Sequence, residues 1–335
     1  MSSRLIYGDI GGTKTLLGAA ILHNGKIQQH LERRYDSAAY HSFLIMLKDF
    51  LGTIEANGIT GHSTAACFAI AGPVIAQQAK LTNLPWHIHA KDIAAACSIT
   101  KVKLINDFEA AALAVEILSS SDLVTLQTGK AEAQAMRVVL GAGTGMGVAW
   151  LTWQSGHYVS LSTEAGHIDF APVNRLQFGL FEYLQKKFGH VSIERILSGS
   201  GLTYIFNFLQ MGLQEEPRLP KITLNEGDAP IITALALKQK HPIAIQTLDL
   251  FNEIYGAYAG NLALAGLCRN GVYIAGGIAP SIIGSLRNGR FIRAFRDKGR
   301  FSIMMNKIPV QVIINTQVSL LGAQQEVLRL QAGIR

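Results

Sequence analysis

YGDIGGTKTLLGAAIL, residues 7–22, sets a Gly-rich turn between two apolar runs. Such a turn lets backbone N–H groups approach a phosphate, a device shared by several unrelated nucleotide-binding folds. The register separates them. A P-loop requires G-x-x-x-x-G-K-[ST] ahead of a helix, and counting from Gly8 puts Thr13 where the second Gly belongs. A Rossmann turn also leads into a helix. Here "LLGAAIL" follows, then "HNGK", where Asn24-Gly25 is a hairpin signal because both residues tolerate positive φ. The stretch predicts strand, Gly turn, strand, Asn-Gly turn, strand.

A second stretch repeats the arrangement. "VVLGAGTGMGVAWLTWQSGHYVSL", laid under the opening at an offset of 131 residues, brings Gly143-Thr144 beneath Gly12-Thr13 and Gly156 beneath Gly25. An internal duplication of this kind predicts two lobes, each opening with a β-meander whose first turn faces a phosphate. Two Gly-Thr turns from two lobes can grip one polyphosphate in a central cleft.

Outward from the first meander, the pattern predicts a helix over residues 38–56, capped by Ser37, with Phe43, Leu47, Phe50, Leu51 and Ile54 at helical spacing. Next come the strand "TAACFAIA", a loop over residues 72–90, a short helix, the strand "KVKLI" and a helix opened by "NDFEAAALAV". The second lobe starts near residue 118, at the Ser-rich "SSSD". It holds the second meander, helices around 177–188, 193–211 and 229–268, and the strands "GVYIA" and "PVQVIIN". The last amphipathic stretch, "LLGAQQEVLRL", suits a helix packed on either lobe.

The whole chain agrees with this picture. Its 335 residues suffice for two domains, and a content of 49% hydrophobic and 16% charged residues is that of a folded globular protein. The net charge of +7 is partly concentrated in "RNGRFIRAFRDKGR", where Arg287, Arg290, Arg293 and Arg296 recur every third residue. A solvated basic helix face explains that run better than nucleic-acid contact. Cys67, Cys97 and Cys268 are odd in number and far apart, which argues against a disulfide framework and a close-spaced zinc site and suits a cytoplasmic protein. The opening lacks a signal-peptide pattern. The most membrane-like stretch, "IYGAYAGNLALAGLC", has 15 residues, too few to span a bilayer. Its Gly256/Gly260 pair is read as a tightly packed core helix rather than a membrane dimer motif. No membrane partner is expected.

Several positions carry chemistry or merely shape. Asp9 before the Gly turn is either a turn-forming Asp or a carboxylate beside a Mg²⁺-polyphosphate. Asn106-Asp107 follows the strand "KVKLI", so either residue can be a helix N-cap, or Asp107 can point at a substrate beyond the carboxyl end of the strand. In "STEAGHIDFAP", Glu164 and His167 lie in a loop, where a di-iron E-x-x-H motif has the wrong context; recognition of a hydroxyl-rich ligand fits better. Glu194 in "SIERILSGSGL" either complements a helix dipole or binds ligand. Gly276-Gly277 ends a strand, as a plain turn or as a place where a flat ring comes close.

Together these pieces resemble a known family. "DIGGTKT", "INDFEA", "GAGTGMG", "STEAGHIDFAP", "ERILSGSGL", "GNLAL", "IAGGI" and "DKGRF" occur in the order found in bacterial-type glucokinases of the hexokinase/actin-like ATPase superfamily, from Asp9 to Gly322. The resemblance implies a duplicated actin-like, ribonuclease H-like α/β fold. Residues 1–117 with 318–335 would form a small domain and residues 118–317 a large one.

It further implies a cytoplasmic homodimer that phosphorylates glucose with ATP and Mg²⁺. Asp107 would be the catalytic base, and Asn83, Asn106, Asp107, Glu164, His167 and Glu194 would hold the sugar. Asp9, Gly11, Gly12, Thr13 and Lys14 would form the first phosphate motif, Gly143, Thr144 and Gly145 the second, and Gly276-Gly277 the adenosine motif. Mg²⁺ would be held mainly by ATP, with Asp9 nearby and no tight protein ligation. Lys14 stands where close relatives often carry Asn, and Ala165 where many carry Gly. The related ROK branch carries a Cys-rich zinc motif after the sugar-binding His, and no Cys lies between Cys97 and Cys268. A DNA-binding module ahead of Asp9 is not expected. A kinase for another hexose, or a non-catalytic sugar and ATP sensor, is the alternative on the same fold.

Overall fold

The computed structural model describes residues 3–23, 26–59, 61–81, 84–212 and 222–334. The chain divides into two compact units, Met1–Leu118 with Gln317–Arg335, and Ser119–Thr316.

In the first unit β1 (Ser3–Ile10), β2 (Lys14–His23) and β3 (Lys26–Asp36) form the antiparallel meander read from the opening stretch. Strands β1 and β2 pair from Ser3↔Leu22 to Ile10↔Thr15, and β2 pairs with β3 as far as His23↔Lys26. Asn24 and Gly25 themselves lie outside the described residues. The chain continues through α1 (Phe43–Ala56), β4 (Ser63–Ile70), β5 (Val74–Ile75), β6 (Gln78–Lys80), β7 (His87–His89), α2 (Ala90–Cys97), β8 (Lys101–Asn106) and α3 (Asp107–Ala114). The main sheet has the order β3-β2-β1-β4-β8, with β4 and β8 parallel to β1. Strand β4 is almost wholly buried along its apolar run, as a parallel strand covered on both faces must be. Helix α1 buries Phe43, Met46, Leu47, Phe50 and Ile54 at three- and four-residue spacing, one apolar face against this core.

Two expectations are corrected here. Helix α1 starts at Phe43, capped by Ser42, whose side chain accepts from the Ile45 N–H. Ser37 lies instead in a short 3-10 turn, fully buried, and its hydroxyl goes elsewhere. The segment 72–90, expected as a loop, contains the three-stranded sheet β5-β6-β7. A C-terminal helix (Val318–Ala332) completes this unit. It approaches α3 so closely that a Cβ on Gly322 would fall 1.7 Å from the Ala110 carbonyl oxygen.

The second unit opens with β9 (Leu123–Gln127) and then repeats the plan with β10 (Arg137–Ala142), β11 (Met146–Gln154) and β12 (His157–Thr163). Next follow α4 (Arg175–Phe188), α5 (Gly199–Gly212), α6 (Ala229–Leu237), α7 (Pro242–Ala265), β13 (Gly271–Ala275), α8 (Ile278–Ser281), α9 (Ile283–Leu286), α10 (Arg290–Arg296), α11 (Ser302–Met305) and β14 (Val310–Ile313). The sheet order is β12-β11-β10-β13-β14-β9. A meander followed by two parallel strands thus occurs in both units, with β10 and β13 in the places of β1 and β4. The duplicated turn is one residue shorter here, since Ala142 pairs with Met146 where Ile10 pairs with Thr15.

The single helix expected over 229–268 is two helices. They break at residues 238–241, where Lys240 adopts φ +56° and Pro242 starts α7 without needing a backbone donor. The helix expected from 193 begins at Gly199, and Glu194 sits on a 3-10 turn before it. Gly256 and Gly260 are core packing positions: a Cβ on either would meet the Phe291 or Phe295 carbonyl oxygen of α10 at 2.0 and 2.6 Å. No helix among the described residues is long and apolar enough to cross a membrane.

Candidate active site

In the first unit the candidate residues gather at the C-terminal edge of the parallel strands. Asp9 is the penultimate residue of β1, Asn106 ends β8, and Asp107 begins α3. Asn106 is the N-cap. Its Oδ1 accepts from the Phe108 N–H at 2.9 Å, while the Glu109 carboxylate accepts from the Asn106 N–H at 3.0 Å, a complete capping box. The Asn106 amide also donates to the Gly72 carbonyl at 3.1 Å, which ties the end of β8 to the segment after β4. Asn106 therefore has a full structural role, and its neighbour Asp107 is left at the helix start with its carboxylate accepting from the Phe108 N–H at 3.0 Å.

The electrostatics of the two carboxylates are coupled. Burial pushes Asp9 up to about 6, with Lys14 pulling the other way. Burial pushes Asp107 up to about 7; the negative charge of Asp9 adds to this, and hydrogen bonds from Phe108 and its own backbone oppose it. Two desolvated carboxylates of like charge resist simultaneous ionisation.

The turn between β1 and β2 is held from beneath. Ser37 donates its hydroxyl to the Gly11 carbonyl at 2.8 Å, its Oγ lies 2.9 Å from Thr15 Oγ1, and its N–H donates to the Thr13 carbonyl at 3.1 Å. The Gly11 N–H closes the turn on the Lys14 carbonyl at 3.1 Å. Ser37 and Thr15 are both fully buried. The sequence signal for this role of Ser37, as against a helix cap, is a Ser directly after a strand that must end beside the turn. Asn83 lies outside the described residues.

In the second unit Glu164, His167 and Glu194 come together. His167 Nε2 stands 3.9 Å from Glu164 Oε2, and its Nδ1 stands 4.0 Å from Glu194 Oε1. Glu194 is fixed by the second Gly turn, because its Oε2 accepts from the Met146 N–H at 2.9 Å. Gly145 makes room for it: a Cβ there would lie 2.4 Å from Glu194 Oε2. The Glu164–His167 loop is anchored where Tyr258 donates to the Ala165 carbonyl at 2.7 Å and where the Ala165 N–H donates to Thr163 Oγ1 at 2.9 Å. Gly166 packs so tightly that a Cβ would sit 2.1 Å from the Met146 carbonyl oxygen. Tyr258, on α7, carried no sequence signal for this role.

Gly143 and Thr144 occupy the same turn. The Gly143 N–H donates to the Gly145 carbonyl at 2.8 Å, and the Gly143 carbonyl accepts from the Gly199 N–H at 2.9 Å at the head of α5. Gly276-Gly277 follows β13, the strand next to β10. Gly276 has φ +80°, and a Cβ on it would lie 2.5 Å from the Ala142 carbonyl oxygen. The two Gly turns are thus neighbours at the ends of adjacent parallel strands, the edge where α/β sheets bind ligands.

The donor set bears on a divalent cation. Among the described residues no group of three His, Cys, Asp or Glu side chains is placed to hold a metal ion. Asp9 is a desolvated carboxylate with the Lys14 charge acting on it, a single acidic side chain that could stand beside a divalent cation.

The glucokinase family model matches residues 6–329. A glucokinase of Trichormus variabilis is 40% identical over 338 aligned residues, covering 95% of this chain and 97% of that protein. One of Synechocystis is 40% identical over 347, covering 96% and 97%. The crystal structure of a glucokinase from an Antarctic psychrotroph is similar at a TM-score of 0.85 and 30% identity, covering 97% of this chain and 98% of that one. The duplicated sheets are those of the actin-like, ribonuclease H-like ATPase fold, and the chain belongs to the glucokinase family.

Proposed function

We propose that the chain transfers the γ-phosphoryl group of ATP to the 6-hydroxyl of D-glucose, giving glucose 6-phosphate and ADP, with Asp107 as the base. The observation that carries this reading is the convergence of Glu164, His167 and Glu194 beside a Gly turn. A hydroxyl-rich ligand needs several fixed donors and acceptors, whereas an ATPase that moves filaments or clients has no use for them.

Phosphoryl transfer asks the protein for positioning and charge stabilisation more than covalent chemistry. Backbone N–H groups of Gly11–Lys14 and Gly143–Gly145 cradle phosphate oxygens, and Lys14 adds a positive charge. Gly276-Gly277 lets the adenosine lie against the backbone. Asn106, Asn83, Glu164, His167 and Glu194 hold the sugar hydroxyls. Asp107 accepts the 6-hydroxyl proton as the oxygen bonds to phosphorus, and with its carboxyl pushed up to about 7 it is a stronger base than an ordinary aspartate. Mg²⁺ bound to ATP, with Asp9 alongside, supplies charge neutralisation at the phosphates.

The chain works in the cytoplasm as a homodimer. Its three cysteines are free, and the exposed Val173, Leu176 and Phe178 offer apolar surface for pairing. Light scattering after size exclusion tests the dimer.

The deciding experiment measures ADP release with Mg²⁺-ATP and glucose, mannose, fructose, N-acetylglucosamine or no sugar, for the native chain and Asp107→Asn. Glucose-dependent ADP formation that disappears in the variant is the expected result. Glucose binding without ADP formation would make the chain a sensor instead, and a preference for another sugar would rename the substrate.

A further inference from the structure

The second unit holds a concave pocket of about 610 Å³ lined by Lys130, Glu132, Arg269, Arg300 and Lys307 around an apolar wall of Phe301, Ile303, Met304 and Ile308. Its place in the sheet separates it from the candidate active site. Glu132 and Arg269 precede the N-terminal ends of β10 and β13, whereas Gly143 and Gly276 follow the C-terminal ends of those same strands. Six and five residues of extended chain, roughly 3.3 Å each, lie between the two locations.

The pocket is a built structure. Its two basic walls are joined where the Lys130 N–H donates to the Lys307 carbonyl at 2.8 Å, and the third segment is tied in where the Glu132 N–H donates to the Arg269 carbonyl at 3.1 Å. Beneath the apolar wall the buried Gln127 donates to the Met305 and Ile308 carbonyls at 2.8 and 2.6 Å and accepts from Arg296 Nε. Gly129 is required at this junction, since a Cβ would lie 2.4 Å from the Lys307 carbonyl oxygen.

The charges inside it do not cancel. Four cations face one carboxylate, and that carboxylate is engaged by Arg269 at 3.1 Å in an exposed pair of the weak, exchangeable kind. Lys130 and Lys307 have no carboxylate partner among the described residues, and Arg300 lies over the Phe301 ring. Phe301 and Ile303 remain 41% and 73% exposed. Uncancelled positive charge calls for an anion, and bare aromatic and aliphatic surface calls for a flat apolar group. A volume of this size suits a small molecule rather than a polymer.

We propose that this pocket is a second ligand site, separate from the candidate active site, that takes a small phosphorylated molecule carrying an aromatic ring. The phosphate is held by Lys130, Lys307 and Arg300, and the ring lies on Phe301.

Phenyl phosphate and inorganic phosphate are the probes, titrated by calorimetry into the native chain, Lys130→Ala/Lys307→Ala, Phe301→Ala and, as a control in the Gly turn of the first unit, Lys14→Ala. The four side chains changed are exposed, so the variants keep the fold. The expected result is that phenyl phosphate binds the native chain and Lys14→Ala alike, at least about tenfold more weakly to either pocket variant, and that inorganic phosphate binds at least about tenfold more weakly than phenyl phosphate. Three results would overturn the proposal: no binding of phenyl phosphate, binding indifferent to the pocket substitutions, or equal affinity for the two probes.

Discussion

Asp9, at the end of β1, raises the pKa of Asp107, at the head of α3, beyond what burial alone achieves. Asp107, the proposed base, therefore keeps its proton to a higher pH than an ordinary aspartate. Only the ionised form accepts a proton, so kcat/KM should rise with pH through a limb near 7 instead of one near 4. Asp9→Asn removes the repelling charge and should move that limb to lower pH. A pH profile of ADP release for both chains checks this, and a native limb near 4 would refute it.

Asp107→Asn keeps the shape of the helix start but cannot accept a proton. Loss of a general base lowers kcat by about 10²–10⁴-fold. Glucose affinity should change far less if Asn106, Glu164, His167 and Glu194 hold the sugar as proposed. Measuring ADP release and glucose binding on the same preparation separates the two effects. A loss of affinity equal to the loss of rate would make Asp107 a binding residue only.

The same carboxyl group makes stability depend on pH. Its folded pKa, about 7, stands above the ordinary 3.8, so the native state holds a proton that the unfolded chain has released. The associated stability is fully present below about pH 4 and is lost as pH rises through 7. Asp107→Asn does not titrate, so its melting temperature should gain on that of the native chain between pH 4 and pH 8. Each kcal/mol corresponds to about 2–4 °C in a chain of this size or somewhat less. Calorimetric melts at the two pH values read the difference, and a gain confined to the acid side would contradict the coupling.

Much of this was legible in residues 7–22 and their repeat. Failed P-loop spacing and the Asn-Gly hairpin signal imply a meander, and the meander sets where Asp9 and Gly143 fall. The apolar run of "KVKLI" likewise places Asn106 and Asp107 at a strand end. What escaped were features without periodicity. Strands β5, β6 and β7 have two or three residues each, too short for alternation to show. Ser37 and Ser42 are equally good caps by type, and only the tertiary contact of Ser37 with Gly11 chooses between them. The tie between Glu194 and the Met146 N–H joins positions 48 residues apart, which no local pattern encodes.

Ser37→Ala tests that buried contact. Truncation leaves the Gly11 carbonyl and the Thr15 hydroxyl without this partner, at a cost of about 1–3 kcal/mol. Because Ser37 also holds Thr13 through its backbone, the turn should loosen without unfolding, and KM for ATP should rise while KM for glucose stays nearly constant. Steady-state kinetics in both substrates check this. A fall in melting temperature with both KM values unchanged would leave Ser37 a purely structural residue.

Gly145→Ala separates the sugar-holding role of Glu194 from its structural one. Gly145 has no positive φ among the glycines of this chain, so the substitution strains no backbone and acts through the new Cβ, which would lie 2.4 Å from Glu194 Oε2. The carboxylate must swing away from the Met146 N–H and alter its approach to His167, 4.0 Å distant. If Glu194 holds a glucose hydroxyl, KM for glucose should rise by about tenfold or more, the equivalent of 1.4 kcal/mol. Glu194→Gln, which keeps the length and one accepting oxygen, should raise it less. Kinetics across glucose concentrations order the two variants. An unchanged glucose KM in Gly145→Ala, with a lowered melting temperature, would mean that Glu194 braces the second Gly turn and does not reach the sugar.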